Sequence, residues 1–428
     1  MTYIIATLGC KVNQYETQAM ETMLTERGHR PAAEGETADA VIVNTCAVTA
    51  ESGRKSRQTI RRLRDENPGA VVAVCGCYSQ LSPEETEEIG AQVIFGAADR
   101  MKFIDAVERA VLEGEKAQDI DEPFKRRAFE KLPAGAVSGR TRAMLKIQDG
   151  CVNFCSYCII PYTRGRLRSL PAEDAAAETE RIRDEGFKEI VLTGIEVASY
   201  GRDLPGKPGL ADVIESVARA AGDMRIRLGS LEPTVITEDF CRRLADTGKL
   251  CRHFHLSLQS GCDRTLKAMN RKYDTARFYQ AVELLRTYFP GCGITCDLIT
   301  GFPGETEQDQ RETLAFIEKC GFSAMHVFPY SRRPGTPADT LPEQCDNATK
   351  NRRAREAREA ADRMSRAFLE SSLGLTLPVL FETEEKGFSS GHSDTYLLIR
   401  VPGTGLRGQI REVRVKDLDK EGLIAEIV

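Results

Sequence analysis

The sequence lacks an apolar run of the ~20 residues a helix needs to span a bilayer. It also lacks a charged-then-apolar leader at its start, so neither secretion nor a membrane span is expected, and a cytoplasmic location follows as an expectation. Low-complexity segments and fixed-period repeats are missing, which argues against disordered and solenoid architectures. Positive charge is not in excess: 59 Lys and Arg stand against 64 Asp and Glu, for a net charge of -5. That excludes a uniformly basic nucleic-acid coat but leaves room for local basic patches. What remains is an ordinary globular composition, 41% hydrophobic and 29% charged. A chain of 428 residues predicts two or three domains. Fourteen cysteines without an export signal point to reduced thiols and metal rather than disulfides.

Three of those cysteines, Cys151, Cys155 and Cys158, stand in one eight-residue stretch at spacing C-x3-C-x2-C. Thiolates are soft ligands suited to zinc and to iron–sulfur clusters. A structural zinc wants four closed ligands, whereas three thiolates on a 4Fe-4S cluster leave one iron open to a substrate or cofactor. Cys151-Val152-Asn153-Phe154-Cys155-Ser156-Tyr157-Cys158 resembles the signature of the radical S-adenosylmethionine (SAM) superfamily. The resemblance implies that the open iron chelates SAM and that reductive cleavage yields a 5′-deoxyadenosyl radical, with the protein supplying orientation and shielding. A three-cysteine zinc site with a distant fourth ligand is the plainer alternative.

The first hundred residues alternate strand and helix. Strands are predicted at Tyr3–Leu8, Ala40–Val43, Ala70–Val74 and Gln92–Phe95, which implies a parallel sheet covered by helices. Cys10, Cys46 and Cys77 each fall just past the carboxyl end of a strand, 36 and 31 residues apart. In a parallel sheet those ends share one edge, where ligands bind, so the three thiols are expected to converge on a second three-cysteine site. The alternative is that they are simply buried core cysteines. Cys77 is preferred over Cys75 because Cys75 continues the apolar strand while Cys77 lies in the turn after Gly76.

A charged, Pro- and Gly-containing stretch at 116–140 reads as a linker between an N-terminal domain (1–115) and a central one (141–370). Six strand–helix units are predicted in the central domain, from Ala143–Gln148 to Ala324–Tyr330, suggesting an open (β/α)6 partial TIM barrel. The loops after its strands carry Cys151, Gly194-Ile195-Glu196, Ser230 and Glu232, Gln259, Asp297 with Thr300, and Gly301–Gly304; all should face one mouth. Any of these polar residues could instead cap or turn a loop. Arg164, Arg166 and Arg168 follow the cysteine loop and are read as phosphate or substrate anchors, with a solvated face as the alternative. Arg352–Arg366 reads as a solvated amphipathic helix. Cys241, Cys251, Cys262, Cys292, Cys296, Cys320 and Cys345 are assigned to the core or read as incidental. Residues 371–428 switch to short alternating strands and suggest a small antiparallel barrel.

Leu8-Gly9-Cys10-Lys11-Val12-Asn13-Gln14-Tyr15-Glu16, Asn44-Thr45-Cys46-Ala47-Val48 and Gly76-Cys77-Tyr78 resemble the three N-terminal motifs of the methylthiotransferases. The C-terminal barrel is similar to a TRAM domain, an OB-like RNA-binding appendage. The resemblance covers nearly the whole chain and implies a flavodoxin-like N-terminal domain, a radical SAM barrel and the TRAM barrel. It further implies two 4Fe-4S clusters, on Cys10/Cys46/Cys77 and on Cys151/Cys155/Cys158. SAM contacts are implied at Gly194, Glu196, Ser230, Glu232, Gln259 and Asp297. RNA contacts are implied at Gly387, Phe388, His392, Tyr396, Arg400, Arg407 and Arg411. The first N-terminal motif looks most like the branch that places a methylthio group on C2 of N6-threonylcarbamoyladenosine beside the tRNA anticodon. Implied partners are tRNA, a low-potential electron donor such as flavodoxin or ferredoxin, and a sulfur source. Other branches, acting on isopentenyladenosine or on a ribosomal-protein aspartate, would keep all six cysteines. A non-catalytic zinc-bearing RNA-binding protein is the alternative from another class.

Overall fold

The structure is a computed structural model that describes residues 1–133, 141–420 and 422–428. Six parallel strands open the chain: β1 (Thr2–Thr7), β2 (Arg30–Pro31), β3 (Ala40–Thr45), β4 (Val71–Gly76), β5 (Val93–Phe95) and β6 (Ala117–Asp119). Their spatial order is β2-β1-β3-β4-β5-β6, the flavodoxin-like arrangement. Helices cover both faces, so β3 and β4 are buried along their whole length and read as continuous apolar runs. Sequence reading placed 117–119 in a linker; these residues instead add β6 to the sheet edge. The last part of that expected linker, 134–140, lies outside the described residues.

The central domain contains β7 (Arg142–Asp149), β8 (Arg168–Ser169), β9 (Glu189–Gly194), β10 (Arg225–Leu228), β11 (Ser230–Leu231), β12 (His253–Gln259), β13 (Gly293–Thr300) and β14 (Ala324–Pro329). They pair as β10-β9-β7-β8 and β11-β12-β13-β14. β10 and β11 are one strand interrupted at Gly229, so the two sheets curve into an open barrel whose free edges are β8 and β14. The six predicted strands are all present; β8 is an added antiparallel edge.

Along β12, buried Phe254, Leu256 and Leu258 alternate with half-buried His255, Ser257 and Gln259. The period of two turns the apolar set toward the surrounding helices and the polar set into the lumen. Asp297 on β13 is half-buried and pairs with His255, Nε2 to Oδ2 at 3.2 Å.

The helix Lys11–Glu26 follows Cys10, with Tyr15, Ala19, Met20 and Leu24 buried in a core shared with Leu145 and Ile147 of β7. The N-terminal domain therefore closes on the barrel through apolar burial. The terminal domain is a closed barrel of β15 (Thr376–Glu385), β16 (Phe388–Ser393), β17 (Leu398–Pro402), β18 (Ile410–Leu418) and β19 (Leu423–Ile427). β16 forms although Phe-Ser-Ser-Gly-His-Ser has little strand propensity. Its Gly391 explains the fit: an added Cβ would stand 2.0 Å from the Leu380 carbonyl oxygen.

This small barrel docks on the amino ends of the central strands. Arg225 donates to the Pro378 and His392 carbonyls at 3.1 and 2.9 Å, and Arg227 to those of Ser393 and Asp394 at 3.0 and 3.1 Å. Glu189 holds both guanidiniums, at 2.6 and 2.7 Å. Tyr396, at φ +70°, stacks between His253 and His392 with ring centroids 4.7 and 4.6 Å away. The end of the barrel away from the cysteine loop is thereby closed. Tyr396 and His392 take part in this docking, while Tyr396 keeps 37% of its surface exposed. Arg400 is likewise engaged, by Asp419 at 2.5 Å. Arg407 and Arg411 are exposed.

Candidate functional site

β1 runs out at Gly9, β3 at Thr45 and β4 at Gly76, so Cys10, Cys46 and Cys77 stand on one edge of the sheet. Two glycines let these turns close. An added Cβ on Gly9 (φ +100°) would lie 2.7 Å from the Cys46 sulfur, and one on Gly76 (φ +107°) would lie 2.5 Å from the Thr45 oxygen. Asn13 ties the turns together, its Nδ2 donating to the Leu8 and Thr45 carbonyls at 2.8 and 2.9 Å. The three thiols lie within electrostatic range of one another. Cys75 is different: it is fully buried in β4, and the charges that face it are Arg100, Glu16, Arg164 and Glu130, with no cysteine among them.

The second triad forms within one loop. Gly150 (φ +75°) turns the chain out of β7, and its Cβ position is occupied by the Arg166 carbonyl at 1.8 Å. The loop is pinned by Cys151 N to Gly165 O (3.0 Å), Ser156 N to Met269 O (3.0 Å) and Ala338 N to Ser156 O (2.8 Å). Arg271 donates from Nη1 to the Cys155 sulfur at 3.0 Å, and its buried Nη2 makes no hydrogen bond but faces Glu232 Oε1 at 3.9 Å. Burial pushes the Cys158 thiol up to about 12 and raises Cys151 as well. Thiols so desolvated become thiolates when a metal holds them.

Among the described residues, Cys262, Asp309 and Glu312 are the group whose metal-ligand atoms all lie within 4.8 Å. Neither triad is drawn that tightly, whereas thiolates around one tetrahedral zinc sit about 3.8 Å apart for a 2.3 Å bond. The Cys262 group is already satisfied internally: Cys262 donates to Asp309, which also pairs with Arg264 and caps the helix at Thr306.

Between the triads lies a fully buried charge network that sequence reading missed. Glu16 meets Arg100 at 2.8 Å and Lys146 at 3.3 Å, and accepts from both terminal nitrogens of Arg164. Asp149 meets Lys146 and Arg168, each at 3.3 Å. Burial opposes the charge on Glu16, but Arg100, Arg164 and Lys146 together hold its carboxyl well below the ordinary range. Arg164 also donates from Nη2 to Asn13 at 2.7 Å and from Nε to the Cys77 sulfur at 3.4 Å. A side chain from just past the Cys158 loop therefore touches the other triad. Four cations against two carboxylates leave a surplus of positive charge beside Cys77, which suits an anionic thiolate cluster. Arg164 and Arg168 are thus internal, correcting their reading as phosphate anchors; Arg166 alone of the three is exposed.

At the mouth, Asn153 donates to Glu196 at 3.1 Å and to Glu232 at 3.0 Å. Burial, then the nearby Glu232, pushes the Glu196 carboxyl up to about 7. Two carboxylates joined by one amide, beside an Arg271 Nη2 that has hydrogen-bonding capacity to spare, make a receptor for a ligand carrying both an ammonium and a carboxylate. Gly194 is required where it stands, since a Cβ would lie 2.8 Å from the Gln148 oxygen. Gln259 sits at φ +67° on the same rim, and the Thr300 hydroxyl is buried without a partner. Ser230 is exposed and exchanges a hydrogen bond with Ser257 at 2.9 Å. Val48, Val152, Phe154 and Phe328 are large apolar side chains left exposed.

Comparison with known proteins agrees with this geometry. The profile of the radical SAM superfamily matches residues 145–317, and that of the uncharacterized protein family UPF0004 matches residues 2–96. The chain is 38% identical over 421 residues to the threonylcarbamoyladenosine tRNA methylthiotransferase MtaB of Bacillus subtilis, covering 97% of this chain and 93% of the relative. MtaB of Thermotoga maritima is 36% identical, with 99% and 96% covered. The tRNA-2-methylthio-N(6)-dimethylallyladenosine synthase of Clostridium tetani is 33% identical, with 97% and 93% covered. Among solved structures, the radical SAM methyltransferase TsrM of Kitasatospora setae, with tryptophan and a SAM analogue bound, superposes with a TM-score of 0.58 at 16% identity, covering 79% of this chain and 75% of that one. That likeness shows a shared fold. No helix among the described residues is long and apolar enough to cross a membrane. The cofactors are those of the family, 4Fe-4S iron–sulfur chemistry and SAM, and the chain belongs to the radical SAM methylthiotransferases.

Proposed function

We propose that this enzyme places a methylthio group on C2 of N6-threonylcarbamoyladenosine beside the tRNA anticodon, working in the cytoplasm with two 4Fe-4S clusters. Cys151, Cys155 and Cys158 would hold the cluster that binds SAM, and Cys10, Cys46 and Cys77 the cluster that carries the sulfur. Bound there, the two groups supply a hydrogen-abstracting radical and the sulfur to be inserted. The chain's own residues do the rest. Glu196 and Glu232 take the ammonium end of SAM and Arg271 its carboxylate. Arg164 locks the two thiolate loops in one register, so that a base lifted out of the RNA meets both centres at once. Exposed Phe154 and Phe328 offer it apolar faces. Arg166, Arg407 and Arg411 remain as candidate phosphate contacts. A flavodoxin or ferredoxin and a sulfur source complete the cycle.

The observation that carries the reading is the reach of Arg164 from one triad to the sulfur of the other. The relatives' names support the threonylcarbamoyl substrate over the dimethylallyl one. The test is nucleoside mass spectrometry of tRNA from cells with and without the gene. The 2-methylthio form of threonylcarbamoyladenosine should vanish with the gene; loss of the isopentenyl counterpart alone would overturn the substrate.

A further inference from the structure

Lys11 and Gln14 lie three residues apart on the helix that starts beside Cys10, so both project from one face. That face looks into the open barrel. Both residues line a cavity of about 430 Å³ bounded by Arg142, Met144, Arg227 and Tyr396. Among the described residues neither side chain makes a hydrogen bond or ion pair. The charges facing Lys11 are Arg227, Arg142, Glu189 and Asp297. Each already has a partner: Arg142 has Glu382, Arg227 has Glu189, and Asp297 has His255. The ammonium of Lys11 is left as a half-buried cation that calls for an anion from outside the chain.

We propose that Lys11 and Gln14 receive the free end of the substrate's N6 substituent, Lys11 binding its carboxylate and Gln14 the adjoining urea or hydroxyl. The inference rests on the threonylcarbamoyl reading above. In adenine, C2 and the carbon bearing N6 flank N1. A base that presents C2 to the thiolate sites at the mouth therefore turns its N6 substituent away from them, into the lumen. A threonylcarbamoyl group ends in a carboxylate and matches the unpaired ammonium. An isopentenyl group is apolar and would leave it buried without a counter-ion. A site that hydrogen-bonds a polar group rejects analogues lacking it far more strongly than an apolar pocket rejects a polar one. Lys11 is thus a specificity-determining residue, in the motif position next to a cluster cysteine.

The test uses the full chain, reconstituted anaerobically, and anticodon stem-loop RNAs. These carry threonylcarbamoyladenosine, its carboxylate methyl ester, or isopentenyladenosine. Dissociation constants are read by fluorescence anisotropy. Wild type should prefer the free acid over the ester by about tenfold or more. Lys11→Met should bring that ratio near one, and Lys11→Arg should retain most of it. Iron and sulfide content are checked first. Should Lys11→Met lose its auxiliary cluster, Gln14→Glu takes its place and is expected to invert the preference in favour of the ester. A cluster-replete Lys11→Met that keeps the wild-type preference overturns the inference, as does a Gln14→Glu that keeps it. Wild type that methylthiolates isopentenyl RNA and not threonylcarbamoyl RNA overturns instead the substrate reading beneath it.

Discussion

The two cysteine triads are built in opposite ways. Cys151, Cys155 and Cys158 come from one loop, shaped by a positive-φ glycine and hydrogen bonds to neighbouring strand ends. Cys10, Cys46 and Cys77 come from three strands and meet only once a parallel sheet has formed. The first is a local feature, shaped within one short loop. The second exists by virtue of the fold, and the buried carboxylates of Glu16 and Asp149 that hold Arg164 between the triads make each depend on the other domain. Substitutions should therefore separate them: loop changes act on SAM, sheet-edge changes on sulfur insertion, and changes in the network on both.

The largest effects test that separation directly. Cys155→Ala should abolish reductive SAM cleavage, lowering 5′-deoxyadenosine formation by three orders of magnitude or about that. Cys46→Ala should leave this cleavage in place and remove the methylthiolated product. If Cys46→Ala makes normal product, the sheet-edge triad has no role in sulfur insertion.

Next in size is the network. Glu16→Gln strands Arg100, Lys146 and Arg164 without their shared carboxylate and should cost about 3–5 kcal/mol in denaturant unfolding. It should also weaken both clusters together, which iron content reports. Loss of one cluster alone would break the proposed coupling.

Acid should undo the docking of the C-terminal barrel. Burial works against the charge of Glu189, but Arg227 and Arg225 outweigh it and hold the carboxyl at about 2, against an ordinary value of 4.5. Its contribution is complete above pH 4.5 and is lost as pH falls toward 2. Protection factors at β15–β19, taken against the intrinsic exchange rate at each pH, should therefore fall over that window before those of the central strands. Glu189→Gln should remove the dependence.

The smallest effect concerns SAM itself. With Glu196 pushed up to about 7, its carboxyl ionises through neutral pH. A cationic ligand favours the ionised form, so SAM affinity should rise several-fold as pH rises through this value, and Glu196→Gln should flatten the profile.

The contrast also explains what the sequence could reveal. The loop triad was legible as spacing alone. The sheet-edge triad was legible through topology, because strand–helix alternation forces strand ends onto one edge. Cys77 was separable from Cys75 by its place after Gly76. Glu16, Lys146 and Arg164 were not legible in their roles. A charged residue within a helix or strand pattern looks solvated until the fold places another element's charge against it. The docking role of Tyr396 was hidden for the same reason: only the neighbouring His253 and the arginines of the central strands reveal it. The polar lumen was half visible, as the alternation in His253–Gln259, but its cover by Lys11 and Gln14 required the N-terminal domain in position.

The central claim is that two three-thiolate clusters share one mouth. Iron and acid-labile sulfide analysis of anaerobically purified protein tests it most directly. Wild type should hold about eight of each per chain, and Cys46→Ala and Cys155→Ala about four each. Zinc without sulfide, or four iron in wild type that Cys46→Ala leaves unchanged, would contradict it.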